Sequence, residues 1–175
     1  MNQNNIEYCK ICNDLPNAHS FELFCSGIDI IEKDENKKQV SVFYTRVANA
    51  IRYDDTKGIL EHYNNLLKLE NPKKWIWIFD CSGFEWKHSV EIKTAIGIAK
   101  LINDFGNVHR ILVINSNFLI NVIFRGVKAF LNNQIIENTI MIKKEEKTKY
   151  LLELSLTKYS FSPEDYTKLS NLMIL

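Results

Sequence analysis

The apolar and polar positions alternate along the chain between short apolar runs and longer stretches of helical spacing. Gln39 to Thr45 alternates in the manner of a half-buried strand, entered from a charged turn at Glu32 to Lys38. Between Asp54 and Leu69, the residues Ile59, Leu60, Tyr63, Leu66 and Leu67 recur three and four apart. That spacing predicts an amphipathic helix, capped by Asp54 or Asp55 and stopped at Asn71-Pro72. Trp75 to Phe79 is apolar without a break, and so is Ile111 to Ile114 in the stretch that opens at Arg110. Strands apolar on both faces belong to parallel sheets covered by helices. Ser89 is placed to cap a helix from Val90 to Asp104, which Gly106-Asn107 closes. A helix over Leu119 to Leu131, a strand over Thr139 to Ile142 and an amphipathic helix over Glu145 to Leu156 complete the pattern. The order β-α-β-α-β-α-β-α predicts an α/β fold with a mainly parallel sheet and flanking helices. One domain is expected over residues 21–175, with residues 1–20 left unassigned.

Composition narrows the function classes. The chain has 175 residues, 46% hydrophobic and 25% charged, enough for one core without disulfide or metal support. A net charge of +1 offers no basic surplus for phosphate neutralisation, so nucleic acid is not an expected partner. The opening MNQNNIEYCK lacks a signal-peptide core. The apolar stretch from Ile111 to Phe130 is interrupted by Asn115, Asn117, Asn121 and Arg125, which makes a membrane span costly. The expected location is the cytoplasm, where the four cysteines are thiols.

Candidate chemistry is sparse. Asp80, at the end of the strongest strand, precedes Cys81-Ser82-Gly83 and is expected to accept hydrogen bonds from that turn. Cys81 and His88 are near in sequence, but there is no nucleophile elbow, phosphate loop or glycine-rich dinucleotide turn. No catalytic residue and no cofactor is therefore assigned, and the chain is expected not to be an enzyme. Cys9-x2-Cys12 with His19 and Cys25 has donor types that suit tetrahedral zinc. A single Cys-x2-Cys without a second knuckle reads as unconnected cysteines, so no metal is assigned and the role of the four residues stays open. His109 reads as a turn residue before its strand. Lys143 to Lys147 reads as a solvated helix start whose lysines can meet anionic lipid.

Three segments in order resemble the CRAL-TRIO family. Phe79-Asp80-Cys81-Ser82-Gly83 is similar to its hydrophobic-Asp-x-Ser-Gly segment. Asn115 to Ile142 resembles its signature, keeping Asn115, Phe118, Phe124, Arg125, Lys128, Phe130 and Leu131. Gly27-Ile28-Asp29 ahead of the Val40 to Tyr44 strand is similar to its opening turn and first strand. The resemblance implies an apolar pocket between the sheet and a gate helix, here Leu119 to Leu131. It implies pocket and gate residues Trp75, Trp77, Phe79, Phe118, Ile123, Phe124 and Val127, with Asp80, Gly83 and Asn115 as structural motif residues. A lipid or other hydrophobic small molecule is the implied ligand, with transient membrane-surface contact.

The departures limit what carries over. Asn117 stands where the family has proline, and Ile135 and Asn138 stand where phosphoinositide binders place a Thr and a Lys. An isoleucine cannot serve a buried phosphate, so headgroup recognition of that kind is not expected. The helical region that usually precedes the domain has no counterpart in this sequence. Two functions fit: reversible binding or carriage of an apolar ligand, or a protein-interaction module with the pocket filled by side chains. A STAS-like fold also accommodates the Trp75 to Phe79 strand, but not the gate segment.

Overall fold

β-Branched and aromatic runs form one five-stranded sheet, seen in a computed structural model that describes residues 9–31, 37–89, 92–143 and positions 163, 164, 167, 168 and 171. The strands are β1 (Glu22–Ile31), β2 (Lys37–Arg46), β3 (Trp75–Asp80), β4 (Val108–Ile114) and β5 (Thr139–Ile142), and they lie side by side in chain order. β1 pairs antiparallel with β2, and every later pair is parallel. The α/β class with a mainly parallel sheet is thus as the sequence predicts.

Strand order equal to chain order has a structural consequence. Right-handed crossovers that always step in one direction put their helices on one face of the sheet. The helices α2 (Thr56–Glu70), α4 (Ile92–Phe105) and α5 (Phe118–Val127) all occupy that face. Ile59, Tyr63, Leu66, Ile102 and Ile120 pack there against Phe43, Trp75, Trp77, Ile111 and Val113. The opposite face holds a second cluster, which among the described residues consists of strand side chains such as Val42, Ile76, Leu112 and Ile142. Short helices α1 (Lys10–Asp14), α3 (Trp86–Ser89) and α6 (Asn133–Glu137) fill the remaining connections.

Local chemistry explains most boundaries. Asp55 caps α2 by accepting the Gly58 amide, and Asn71 ends it in the left-handed region at φ 38°. Gly106 and Asn107, at φ 69° and 58°, turn the chain out of α4. Ser89 lies in the helical turn Trp86–Ser89, and the expected helix start at Val90 lies outside the described residues. Two expectations shift. His109 lies inside β4, which begins at Val108. Gly27-Ile28-Asp29 is not a turn: Gly27, at φ 71°, lies within β1, between Cys25 and Ile28, where the register slips. Such an irregularity bends an edge strand and hides its alternation. The expected helix over Glu145 to Leu156 lies outside the described residues. Among the described residues, no helix is long and apolar enough to cross a membrane.

Candidate functional site: an apolar cavity under α5

The carboxyl ends of β2, β3 and β4 are tied together around Asp80, which is fully buried. Its Oδ1 accepts the Ser82 amide and the Asn115 side-chain amide, each at 2.8 Å. Its Oδ2 accepts the Tyr44 hydroxyl at 2.7 Å. Three donors meet the need of a carboxylate taken out of water. Burial, and then Asp80 itself, pushes the Tyr44 hydroxyl far above its ordinary range, so it stays a donor. Asn115 leaves β4 at φ 54° and also donates to Ser82 Oγ at 2.7 Å. Gly83 sits at φ 72°, where a Cβ would come within 2.9 Å of Ala48 Cβ. Asp80, Gly83 and Asn115 therefore shape the framework at the strand ends.

On the helix side of the sheet, near those carboxyl ends, lies a cavity of about 190 Å³. Trp77, Phe79, Val113 and Met141 contribute from the sheet. Ile59 and Tyr63 of α2 and Ile98 and Ala99 of α4 form walls. Ile123, Phe124 and Val127 of α5 close the side opposite the sheet. The strand period of two puts Trp75, Trp77 and Phe79 on one face, and Ile76, Ile78 and Asp80 on the other.

Most polar groups of the wall are paired within the fold. Thr45 Oγ accepts the Trp77 indole N–H at 2.9 Å and lies 3.3 Å from the Tyr63 hydroxyl. The Tyr63 hydroxyl donates to the Ser20 carbonyl at 3.2 Å, and its burial pushes its ionisation well above the usual range. Thr56 and Thr94 pair their hydroxyls. The surface left to a guest is almost wholly hydrocarbon and aromatic.

Two of the seven pocket and gate residues expected from sequence lie elsewhere. Trp75 is at the opposite, amino-terminal end of β3, packed edge-on against Phe43 and Phe105 with its indole N–H on the Gly106 carbonyl at 2.8 Å. Phe118 is the first residue of α5, capped by Asn117, and is 79% exposed. Ile135 is core, and Asn138 ends α6 at the far edge of the sheet.

The groups weighed for nucleophilic chemistry do not meet. Cys81 is buried, and burial, followed by the charge of Asp80, keeps its thiol protonated. His88 borders the cavity mouth with its ring against Tyr53 and Phe84 and its Nδ1 accepting the Glu85 amide at 2.9 Å. Burial and then Lys87 hold it below the ordinary histidine range. Of the four residues in the amino-terminal constellation, the fold gathers Cys9, Cys12 and His19, whose ligand atoms lie within 4.8 Å of one another. They are not unconnected, as the sequence suggested; Cys25 lies apart, on β1. His62 of α2 adjoins the group, with its Nδ1 3.4 Å from Cys12 Sγ, and sequence reasoning missed it because it sits inside an ordinary amphipathic pattern.

Comparison with known proteins places this architecture. The model of the CRAL/TRIO domain matches residues 30–159. The chain belongs to the CRAL/TRIO family. Proteins of this family bind lipids and other small lipophilic molecules. Among solved structures, the crystal structure of Sfh5 is similar at a TM-score of 0.56 and 10% sequence identity. The alignment covers 78% of this chain and 51% of Sfh5, so the chain spans about half of that protein. At that identity the likeness speaks for the fold alone. No curated protein sequence matches the chain.

Proposed function

We propose that this CRAL/TRIO domain binds one small apolar ligand, such as a single fatty acyl chain or an isoprenoid, in the cavity closed by α5. The observation that carries this reading is the cavity wall, where hydroxyls and indole are paired within the fold and leave an apolar surface. A guest there gains from leaving water and has no charged group to meet. The volume of about 190 Å³ sets the size. Ligand sites for drug-sized molecules run from about 300 Å³ upward, whereas an apolar cavity of about 150 Å³ already takes up benzene. A chain segment fits as the cavity stands, and a longer lipid requires α5 to move outward.

Release to a membrane follows from the surface beside that helix. Trp86 of α3 and Phe118 and Val122 of α5 are exposed, and α3 packs beside α5. Exposed aromatics next to a ligand gate suit the interfacial layer of a bilayer, met transiently from the cytoplasm. The proposed activity is binding and carriage without turnover, in keeping with a protonated Cys81 and a His88 engaged on Glu85. The modest volume supports one other reading, a protein-interaction module with side chains in place of ligand. Titration of delipidated protein with a fluorescent fatty acid separates the two. Saturable one-to-one binding, displaced by unlabelled fatty acid or isoprenoid alcohol, supports the carrier. Absence of any binding favours the interaction module.

A further inference from the structure

The cluster at Cys9, Cys12, His19 and His62 has the features of a metal centre. Cys9 Sγ lies 3.0 Å from Cys12 Sγ and 3.3 Å from His19 Nδ1. Cys12 Sγ lies 3.0 Å from His19 Nδ1 and 3.4 Å from His62 Nδ1. Three donor atoms, from the start of α1 and the approach to β1, lie within 4.8 Å of one another, and His62 Nδ1 of α2 comes up beside Cys12. In tetrahedral zinc with bonds of about 2.3 Å to sulfur and 2.0–2.1 Å to nitrogen, neighbouring ligand atoms stand about 3.3–3.8 Å apart. A zinc ion entering the cluster would need to spread the atoms of Cys9, Cys12 and His19 by up to about 0.7 Å and to draw His62 Nδ1, which approaches on the Cys12 side, inward.

The outer partners of both histidines fix the tautomer that a metal needs. His19 Nε2 is 3.1 Å from Asp55 Oδ2, so its proton sits on the side facing the carboxylate. His62 Nε2 donates to the Phe21 carbonyl at 2.7 Å. In both rings the hydrogen is spent on the far nitrogen, and a bare Nδ1 faces the sulfurs. A carboxylate or a backbone carbonyl behind the ring is the usual support of a metal-bound imidazole. The Cys12 amide also points to Cys9 Sγ at 3.3 Å, the turn that Cys-x2-Cys makes around a cation. Without a cation, burial and then Cys9 push the Cys12 thiol up to about 12.

Packing alone explains this arrangement poorly. α1 buries none of its five residues, yet Cys9 at its cap and His19 beyond it are 3% exposed. Ala18 and the backbone bonds from the Ile51 and Arg52 amides to the Asn17 and Ala18 carbonyls anchor the part next to His19, whereas Cys9 and the start of α1 are held through sulfur and imidazole groups. We infer that Cys9, Cys12, His19 and His62 form a structural Zn²⁺ site that staples the amino-terminal segment to α2. The staple reaches the cavity through the next residue, because Ser20 lines it and accepts the Arg46 amide at 2.8 Å.

The test is titration of reduced, chelator-treated protein with Co²⁺ and then Zn²⁺. The expected result is one Co²⁺ per chain, giving a thiolate charge-transfer band and the intense visible bands of a tetrahedral ion. One equivalent of Zn²⁺ then removes both. Cys12→Ser and His62→Ala should each lose the tetrahedral spectrum, whereas Cys25→Ser keeps it. Asp55→Asn preserves the cap of α2 and should retain the spectrum while weakening affinity about 10- to 100-fold. Because that variant leaves all four ligands in place, it reads the site even if a ligand variant fails to fold. Absence of the thiolate band in the reduced wild type overturns the inference. So does a spectrum lost with Cys25→Ser and kept with Cys12→Ser.

Discussion

Replacing Ala99 with leucine tests whether the space under α5 is open. Ala99 lies on α4, is 2% exposed and borders the cavity of about 190 Å³. Leucine adds three carbon atoms directed into that space and is nearly as good a helix former as alanine. If the space is empty, each buried carbon contributes about 0.8 kcal/mol, for a gain of roughly 2 kcal/mol in the ligand-free protein. For a chain of this length that corresponds to a rise in Tm of about 4–8 °C. The same side chain takes the place of a ligand, and displacing it should weaken fatty-acid binding about 30-fold, the equivalent of about 2 kcal/mol. The assays are urea or thermal unfolding of delipidated protein and fluorescent fatty-acid titration of both variants. A tightly packed site would instead be strained by the extra carbons and lose about 1–3 kcal/mol. Destabilisation with fatty-acid affinity unchanged refutes the reasoning.

Further outcomes follow from the same structure. Asp80→Ala strands the Tyr44 hydroxyl and the Asn115 amide in a buried place, and should cost about 2–5 kcal/mol in a urea titration. Asn103→Ala removes the side chain that donates to the Phe130 carbonyl and accepts the Asn132 amide at 3.1 Å just beyond α5. It should speed release of bound fatty acid in stopped flow while changing stability by only about 1 kcal/mol. Burial, the largest influence on His62, holds it below its ordinary value of 6.5, so the unfolded chain takes up that proton first as pH falls. Metal-free protein should therefore keep the contribution of His62 above 6.5 and lose it progressively below, and His62→Gln should flatten that part of the stability profile. Substituting Trp86 and Phe118 together with alanine should weaken vesicle binding at least about 10-fold in a flotation assay and leave fatty-acid affinity unchanged.

What the sequence disclosed depends on where each signal resides. Trp75 to Asp80 and the apolar stretch of β4 are strands covered on both sides, and their continuous apolar character is visible in one dimension. The α2 helix was equally readable, since its spacing and its Asp55 cap are local. β1 was hidden because Gly27 and the irregularity near it break the alternation. Depth along a strand is also invisible to periodicity: Trp75 and Trp77 share a face, but only Trp77 reaches the cavity. Phe118 shows the same limit on a helix, where an apolar residue at the first position can face solvent. The metal-type cluster needed the third dimension most. His62 lies fifty positions from Cys12 in sequence, and only the packing of α2 against the amino-terminal segment brings them within 3.4 Å.

The measurement that bears most directly on ligand binding is native mass spectrometry of the purified protein, followed by extraction and identification of any bound lipid. The account predicts a one-to-one complex that releases a single-chain fatty acid or isoprenoid. Protein that flies without any bound lipid, and that stays so after incubation with fatty acids and isoprenoids, contradicts it.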